Sequence, residues 1–155
     1  MLSDEIKNEI RAEMARCETR RAAIPDALKI VQRHRGWVSD ESLAELAELM
    51  GLTVDELDEV ATFYSLIYRR PVGRHVILLC DSISCWVTGY EDLRKHLLAK
   101  LGIGGLGQTS ADGRFTLLPV VCLGACDRAP VMMVDEDLHG PLDAAKIDEV
   151  LSKYP

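Results

Sequence analysis

The sequence of 155 residues lacks any long apolar run and has few aromatic residues and fewer basic than acidic ones. A helix that crosses a bilayer needs about 20 consecutive apolar residues, whereas the strongly apolar stretch at residues 76–80 has only the length of a strand. Lysine and arginine together number 18 against 25 acidic residues, which gives a formal net charge of -7. Because no run is long enough, we do not expect membrane insertion. Because an acidic surface repels phosphate backbones, we do not expect nucleic-acid binding either.

The amino-terminal segment lacks the features of a targeting signal, and the cysteine count does not suit a disulfide framework. The first residues are acidic and contain neither the basic nor the apolar region of a secretory signal. We therefore expect a cytoplasmic protein in a reducing environment, where disulfides are rare. Five cysteines are present, and an odd number also argues against closed pairing. This count suggests four cysteines with a shared role and one bystander, Cys17.

The first half of the chain has the periodicity and the end signals of helices. Apolar residues recur at intervals of three and four, and on the fourth predicted helix they include Val54 and Tyr64, which we expect to face inward. Glu56 completes a capping box at the start of that helix. The residues predicted to begin or end the helices are Ser3, Pro25, Gly36, Ser39, Gly51 and Thr53.

The second half changes to the pattern of a sheet. Strands are predicted at residues 75–80, 115–121 and 131–134 and around residue 139. Thr88 and Glu91 form a second capping box that predicts the start of a helix, and Asp143 is predicted to cap the last helix. The order of these elements indicates an α/β sandwich. The sequence thus predicts an α+β protein with a helical bundle in residues 1–73 and an α/β domain in residues 74–155.

Four cysteines of the second half fall into two pairs, each predicted to lie where a strand ends. Cys80 and Cys85 bracket four residues, and Cys122 and Cys126 bracket three. If the two strands are neighbours, four thiolates meet at one end of the sheet. Structural zinc permits such gaps but commonly uses two residues, whereas the two irons of a binuclear cluster spread their ligands farther. The spacing favours an iron-sulfur cluster, with zinc or buried, unliganded cysteines as the alternatives.

Other features of the sequence carry less weight. Residues 102–107 match G-x-G-x-x-G, but here a helix precedes the glycines and a strand follows them, the reverse of a dinucleotide site. We expect a connection there and no NADH on this chain alone. The acidic residues 135–137 are expected to form a solvated turn tip. No P-loop, Ser-His-Asp arrangement or pair of catalytic acids is present, which favours electron transfer by a cofactor.

Residues 112–130, DGRFTLLPVVCLGACDRAP, resemble the signature of the 2Fe-2S E-subunit family of NADH-quinone oxidoreductase, the respiratory complex I. Residues 60–65, VATFYS, and residues 71–76, PVGRHV, resemble further parts of that family. The resemblance implies a thioredoxin-like ferredoxin domain after the helical one. It also implies one 2Fe-2S cluster whose iron ligands are Cys80, Cys85, Cys122 and Cys126.

The same resemblance implies a partner and a location. FMN and NADH are expected on a partner flavoprotein subunit, with this chain exchanging an electron with the flavin and holding no complete active site of its own. It is expected among the peripheral-arm subunits, at the cytoplasmic face of the bacterial inner membrane. The alternative with the same chemistry is an equivalent diaphorase subunit, either of an NAD-reducing hydrogenase or of an NAD-linked formate dehydrogenase. A zinc-stabilised interaction module is the alternative of another class.

Overall fold

Seven α-helices and a five-stranded sheet make up the computed structural model, which describes all 155 residues. The backbone divides into two units, Met1–Pro71 and Val72–Pro155. The first unit contains only helices and has its own buried apolar core. The second contains the whole sheet and a separate core, so the predicted α+β class is confirmed. No helix combines the length and the apolar character that a bilayer-spanning segment needs.

The helices of the first unit begin and end where their caps lie. Their bounds are α1 Asp4–Arg16, α2 Ile24–Arg35, α3 Asp40–Met50 and α4 Val54–Phe63. The hydroxyl of Ser39 accepts the backbone N–H of Ser42 at 3.2 Å, and Ser3 and Thr53 cap α1 and α4 in the same way. Gly36 and Gly51 end α2 and α3 in the left-handed region, which suits glycine. These predicted helix ends are confirmed.

The capping box at the start of α4 is also connected to a neighbouring segment. The Glu56 carboxylate accepts the backbone N–H of Thr53 at 2.9 Å and its hydroxyl at 3.0 Å. Nε of Arg21 donates to the same carboxyl group at 3.0 Å. These contacts lower the pKa of Glu56 to about 2, with the hydrogen bond from the Thr53 backbone as the largest cause and the Arg21 contact as the next largest.

Glu56→Gln is expected to destabilise the chain at neutral pH and to have less effect in acid. The pKa of Glu56 is lowered from 4.5 to about 2, so its carboxylate stabilises the folded chain above pH 4.5 and loses that contribution as the pH falls through 2. Thermal unfolding of the two proteins at about pH 7 and about pH 3 measures the difference. An equal difference at both pH values would contradict the assignment.

Two predicted core positions on α4 are wrong. Val54 is 43% and Tyr64 is 47% exposed, while Leu57 and Ala61 face the core of the helical unit. Val54 is the first residue of α4, directly after its N-cap Thr53. Tyr64 follows the helix with an extended backbone, φ -87° and ψ 108°, so the helical period no longer directs its side chain.

The sheet of the second unit is mixed, with the most apolar strand at its centre. Its strands are β1 His75–Cys80, β2 Gln108–Thr109, β3 Phe115–Val120, β4 Met132–Val134 and β5 Asp137–His139, in the order β2-β3-β1-β4-β5. β1 pairs in parallel with β3 and antiparallel with β4. A strand with partners on both sides is buried, which explains its near-continuous apolar sequence.

Three helices complete this unit: α5 Ile83–Val87, α6 Tyr90–Leu101 and α7 Ala144–Leu151. Asp143 caps α7 as predicted, but the predicted capping box of Thr88 and Glu91 is wrong. The Thr88 hydroxyl instead donates back to the carbonyl of Ser84 at 2.7 Å and so ends the short helix α5. Gly89, with φ 123°, turns the chain into α6. The glycine-rich segment 102–107 connects α6 to β2, as predicted.

Candidate metal centre

The parallel pairing of β1 and β3 brings both cysteine pairs to one edge of the sheet. Cys80, the last residue of β1, is in register with Val120, the last residue of β3. Asp81 then donates its backbone N–H to the carbonyl of Val120 at 3.0 Å. The carboxyl ends of parallel neighbours lie side by side, so residues 81–85 and 121–126 leave the sheet at the same edge. The prediction that the two strands are neighbours is therefore confirmed.

Cys80 and Cys85 form the inner part of this site. Both side chains are buried, with exposures of 2% and 1%, and the two thiols interact with each other. Burial raises the pKa of the Cys85 thiol to about 11, against a hydrogen bond from the backbone N–H of Val131 that favours the thiolate. The thiol is thus protonated at neutral pH in the free chain, and metal ligation there must release a proton.

Cys122 and Cys126 form the outer part, because both are exposed. Gly124 lies between them with φ 73°, a left-handed conformation that favours glycine. This turn directs the backbone N–H of Gly124 to the sulfur of Cys122 at 3.3 Å. Cys126 begins a 3-10 turn that runs to Arg128, and its thiol is close enough to influence the pKa of Cys85.

The donor set fits a group that takes four thiolates at the boundary between the core and solvent. Two sulfurs lie on the buried side and two on an exposed loop of the same sheet edge. Two backbone N–H groups, those of Val131 and Gly124, already point at cysteine sulfurs. The structure does not arrange three or more Cys, His, Asp or Glu side chains as ligands of one metal ion. Cys17 belongs to the helical unit and packs against its core.

Apolar residues surround the candidate ligands on both sides. On the inner side, Cys80 and Cys85 share a small cluster with Ala125 and Val131, against which Leu138 packs. Large apolar side chains nearby are exposed to solvent: Ile83, Trp86 and Val87 on α5, the helix that carries Cys85, and Val121 directly after β3. Exposed apolar residues grouped beside a site are typical of interaction surfaces.

Comparison with known proteins identifies the family. The sequence model of the thioredoxin-like 2Fe-2S ferredoxins matches residues 10–155. The chain belongs to that family. Its cofactor is one 2Fe-2S cluster, which decides between the iron-sulfur and zinc alternatives that the cysteine spacing left open.

Two relatives of this ferredoxin assign it to a more specific family. It is 48% identical to the E subunit of NADH-quinone oxidoreductase from Pseudomonas aeruginosa over 154 residues, which covers 99% of this chain and 92% of that relative. Identity to the E subunit from Escherichia coli K12 is 49% over 153 residues, with the same coverage. The ferredoxin therefore belongs to the E-subunit family and is an electron-transfer component of an oxidoreductase.

A solved structure shares most of this fold. The crystal structure of an NAD+-reducing NiFe hydrogenase in its H2-reduced state aligns with 82% of the ferredoxin at a TM-score of 0.70 and 30% identity. The ferredoxin spans only 22% of that hydrogenase chain. In that protein, a domain like this one is thus joined to a much longer polypeptide.

Sequence reasoning missed Val131 as part of the site. Its N–H donates to the Cys85 thiol and its carbonyl accepts the N–H of Cys80 at 3.3 Å. Both contacts are made by the backbone, so the side chain carries no signal of them. Its position just before β4, a strand paired with β1, could have suggested that it lies beside Cys80.

Proposed function

We propose that Cys80, Cys85, Cys122 and Cys126 ligate the 2Fe-2S cluster of an electron-transfer subunit of NADH-quinone oxidoreductase. The observation that carries this proposal is the parallel register of Cys80 with Val120, because it starts both cysteine loops from the same edge of the sheet. Four thiolates are the ligand set of a binuclear cluster. No histidine lies within either cysteine pair, so a Rieske-type ligand set is not supported.

The bound cluster supplies one-electron transfer, and the chain's residues set the conditions for it. Cys80 and Cys85 hold the inner side away from water, because both are buried. The N–H groups of Val131 and Gly124 donate to cysteine sulfurs, and such hydrogen bonds favour the reduced state. The formal net charge of -7 has the opposite effect, since adding an electron to an acidic protein is unfavourable. We expect the effect of the charge to prevail, so that the reduction potential of the cluster is low.

The subunit works within a multi-subunit NADH dehydrogenase, and its immediate partner in this proposal is the flavoprotein that binds FMN and NADH. The exposed apolar residues Ile83, Trp86, Val87 and Val121 support it, because they flank the cysteines from which an electron must leave. The hydrogenase relative supports it too, since a domain like this one is there part of an NAD+-reducing enzyme, in a chain of which about four-fifths lies outside the matching region. We place the subunit in the peripheral arm at the cytoplasmic face of the membrane.

A diaphorase role in a hydrogenase or formate dehydrogenase is the second candidate. The 30% identity to the NAD+-reducing hydrogenase favours it. The 48% and 49% identities to the E subunits over nearly the whole chain favour the NADH-quinone oxidoreductase more strongly.

Metal analysis of the anaerobically purified protein tests the proposal. We expect about two iron atoms and about two acid-labile sulfides per chain, together with a paramagnetic signal after one-electron reduction. A colourless protein with about one zinc per chain would overturn the redox role. Co-purification with a flavin-containing subunit from the native membrane separates the proposed partner from an unrelated one.

Trp86→Ala is expected to weaken association with the flavoprotein partner about tenfold or more, because a buried tryptophan is a common hot spot of an interface. Trp86 is 56% exposed beside the buried Cys85, so the substitution removes contact area without opening the core. Binding of the purified subunits measured by calorimetry, with Phe63→Ala as the control, tests this expectation. Phe63 is an exposed aromatic residue of the helical unit. Unchanged affinity in Trp86→Ala would exclude this surface.

A further inference from the structure

Asp135 closes one end of the pairing between β1 and β4. Its backbone N–H donates to the carbonyl of Val76 at 2.9 Å, and its carboxylate accepts the N–H of Val76 at 2.9 Å. The second carboxylate oxygen lies 2.7 Å from Nδ1 of His75. Asp135 is thus the partner of both the backbone N–H and the backbone carbonyl of Val76.

The backbone of Asp135 adopts a conformation that few side chains favour. Its φ is 54°, and no other residue except glycine has a positive φ in this structure. A left-handed conformation costs free energy for a residue with a side chain, although Asp and Asn tolerate it best. The contacts with Val76 and His75 offset this free-energy cost. The predicted tip at residues 135–137 is exposed, as expected, but Asp135 is in addition tied to β1.

Val131 lies at the other end of the same pairing. Its carbonyl accepts the N–H of Cys80, and its N–H donates to the thiol of Cys85. Between the two ends, β4 has only three residues, in register with Ile77, Leu78 and Leu79 of β1. So short a ladder has few backbone hydrogen bonds of its own, and a slip of one residue would turn the buried side chains of Met132 and Val134 to the opposite face.

We propose that Asp135 is a positioning residue for the metal centre: it holds β4 in register with β1, which keeps the Val131 peptide against Cys80 and Cys85. The inference rests on the proposed ligand set. Loss of the Asp135 carboxylate leaves the N–H of Val76 without its partner and frees the far end of β4. The Val131 peptide then moves relative to both sulfurs, and hydrogen bonds to ligand sulfur tune an iron-sulfur centre.

Asp135→Gly separates the side-chain contacts from backbone strain, because glycine adopts a positive φ without steric cost. Glu136→Gly is the matched control: Glu136 is exposed in the same turn, and its side chain makes no hydrogen bond or ion pair. Both variants add the same backbone freedom. Asp135→Asn keeps an acceptor oxygen and tolerates the backbone conformation, so we expect it to restore the behaviour of the unaltered chain.

Amide hydrogen exchange in the metal-free protein gives the first measurement. The N–H of Cys80 donates to Val131 on the β4 side, whereas the N–H of the next residue, Asp81, donates to Val120 on the β3 side. In Asp135→Gly we expect exchange at Cys80 to accelerate about tenfold, the effect of losing one hydrogen bond. Exchange at Asp81 is expected to stay unchanged. Glu136→Gly and Asp135→Asn should change neither amide.

The paramagnetic signal of the reduced holoprotein gives the second measurement. We expect Asp135→Gly to alter its line shape and to shift the midpoint potential, and Asp135→Asn to restore both. Equal acceleration at Cys80 and Asp81 would indicate general destabilisation and overturn the proposal, as would a signal identical to that of Glu136→Gly. Absence of iron from the unaltered protein would instead overturn the proposed function, while the exchange measurement still tests the register.

A further variant covers the case in which Asp135→Gly does not fold. His75→Gln removes the ring nitrogen that lies 2.7 Å from the Asp135 carboxylate and leaves Asp135 itself in place. We expect the same pattern at reduced size, with exchange at Cys80 accelerated relative to Asp81. An unchanged ratio between the two amides in this variant overturns the proposal.

Discussion

Serine in place of Cys85 is expected to abolish stable binding of the 2Fe-2S cluster. Cys85 is 1% exposed and packs with Cys80, Ala125 and Val131, so neither water nor another side chain can reach its position as a substitute ligand. A serine hydroxyl is a harder and much less acidic donor than a thiol. Iron should fall from about two atoms per chain to well below one.

The outer positions should respond less strongly. Cys122 and Cys126 are exposed on a loop that can adjust, so Cys122→Ser and Cys126→Ser are expected to retain part of the iron with an altered paramagnetic signal. Cys17→Ser is the matched control, because Cys17 belongs to the helical unit. Iron and sulfide analysis, with the spectrum of the reduced protein, measures the series. Full iron in Cys85→Ser, or loss of iron in Cys17→Ser, would refute the ligand assignment.

Leu117→Ala is expected to reduce the free energy of unfolding by about 2–5 kcal/mol, the usual cost of a cavity of this kind. Leu117 is fully buried in β3, between β2 and β1. A domain of ordinary stability unfolds at about 5–15 kcal/mol, so the loss is a large share of the total. Denaturant unfolding followed by circular dichroism measures it.

Val121→Ala provides the control for that substitution. Val121 directly follows β3 and is 81% exposed, so its truncation should change the free energy of unfolding by no more than about 0.5 kcal/mol. A comparable loss in both variants would mean that position in the chain, rather than burial, sets the cost. Because the molecule has two units, the transitions should be fitted without assuming a single step.

Much of the architecture follows from local chemistry in the sequence. Helix ends depend on contacts within a few residues, such as the capping box of Thr53 and Glu56, and these were predictable. The joint placement of the cysteine pairs was predictable as well, since strands that end in a shared edge bring their following loops together. Cys80 and Val120 in register bear this out.

The errors and omissions occur where a contact outside the recognised motif decides the outcome. Thr88 and Glu91 have the spacing of a capping box, but nothing in that spacing shows that α5 already uses the Thr88 hydroxyl at its end. Asp135 lies in the predicted turn tip, yet only the pairing of β1 with β4 brings its carboxylate to Val76. The ligand assignment itself and the domain boundary after residue 73 stay predictions.

The register of β1 with β3 also links iron retention to folding. Strand residues in register, such as His75 and Phe115, lie about forty residues apart in the chain, so their contact requires a large loop to close. The unfolded chain therefore has two separate thiol pairs and no preformed four-thiol site. Binding of the cluster to the folded form alone stabilises that form by mass action. Any opening of the sheet separates the pairs, so the rate of iron loss should report on the opening of β1 from β3.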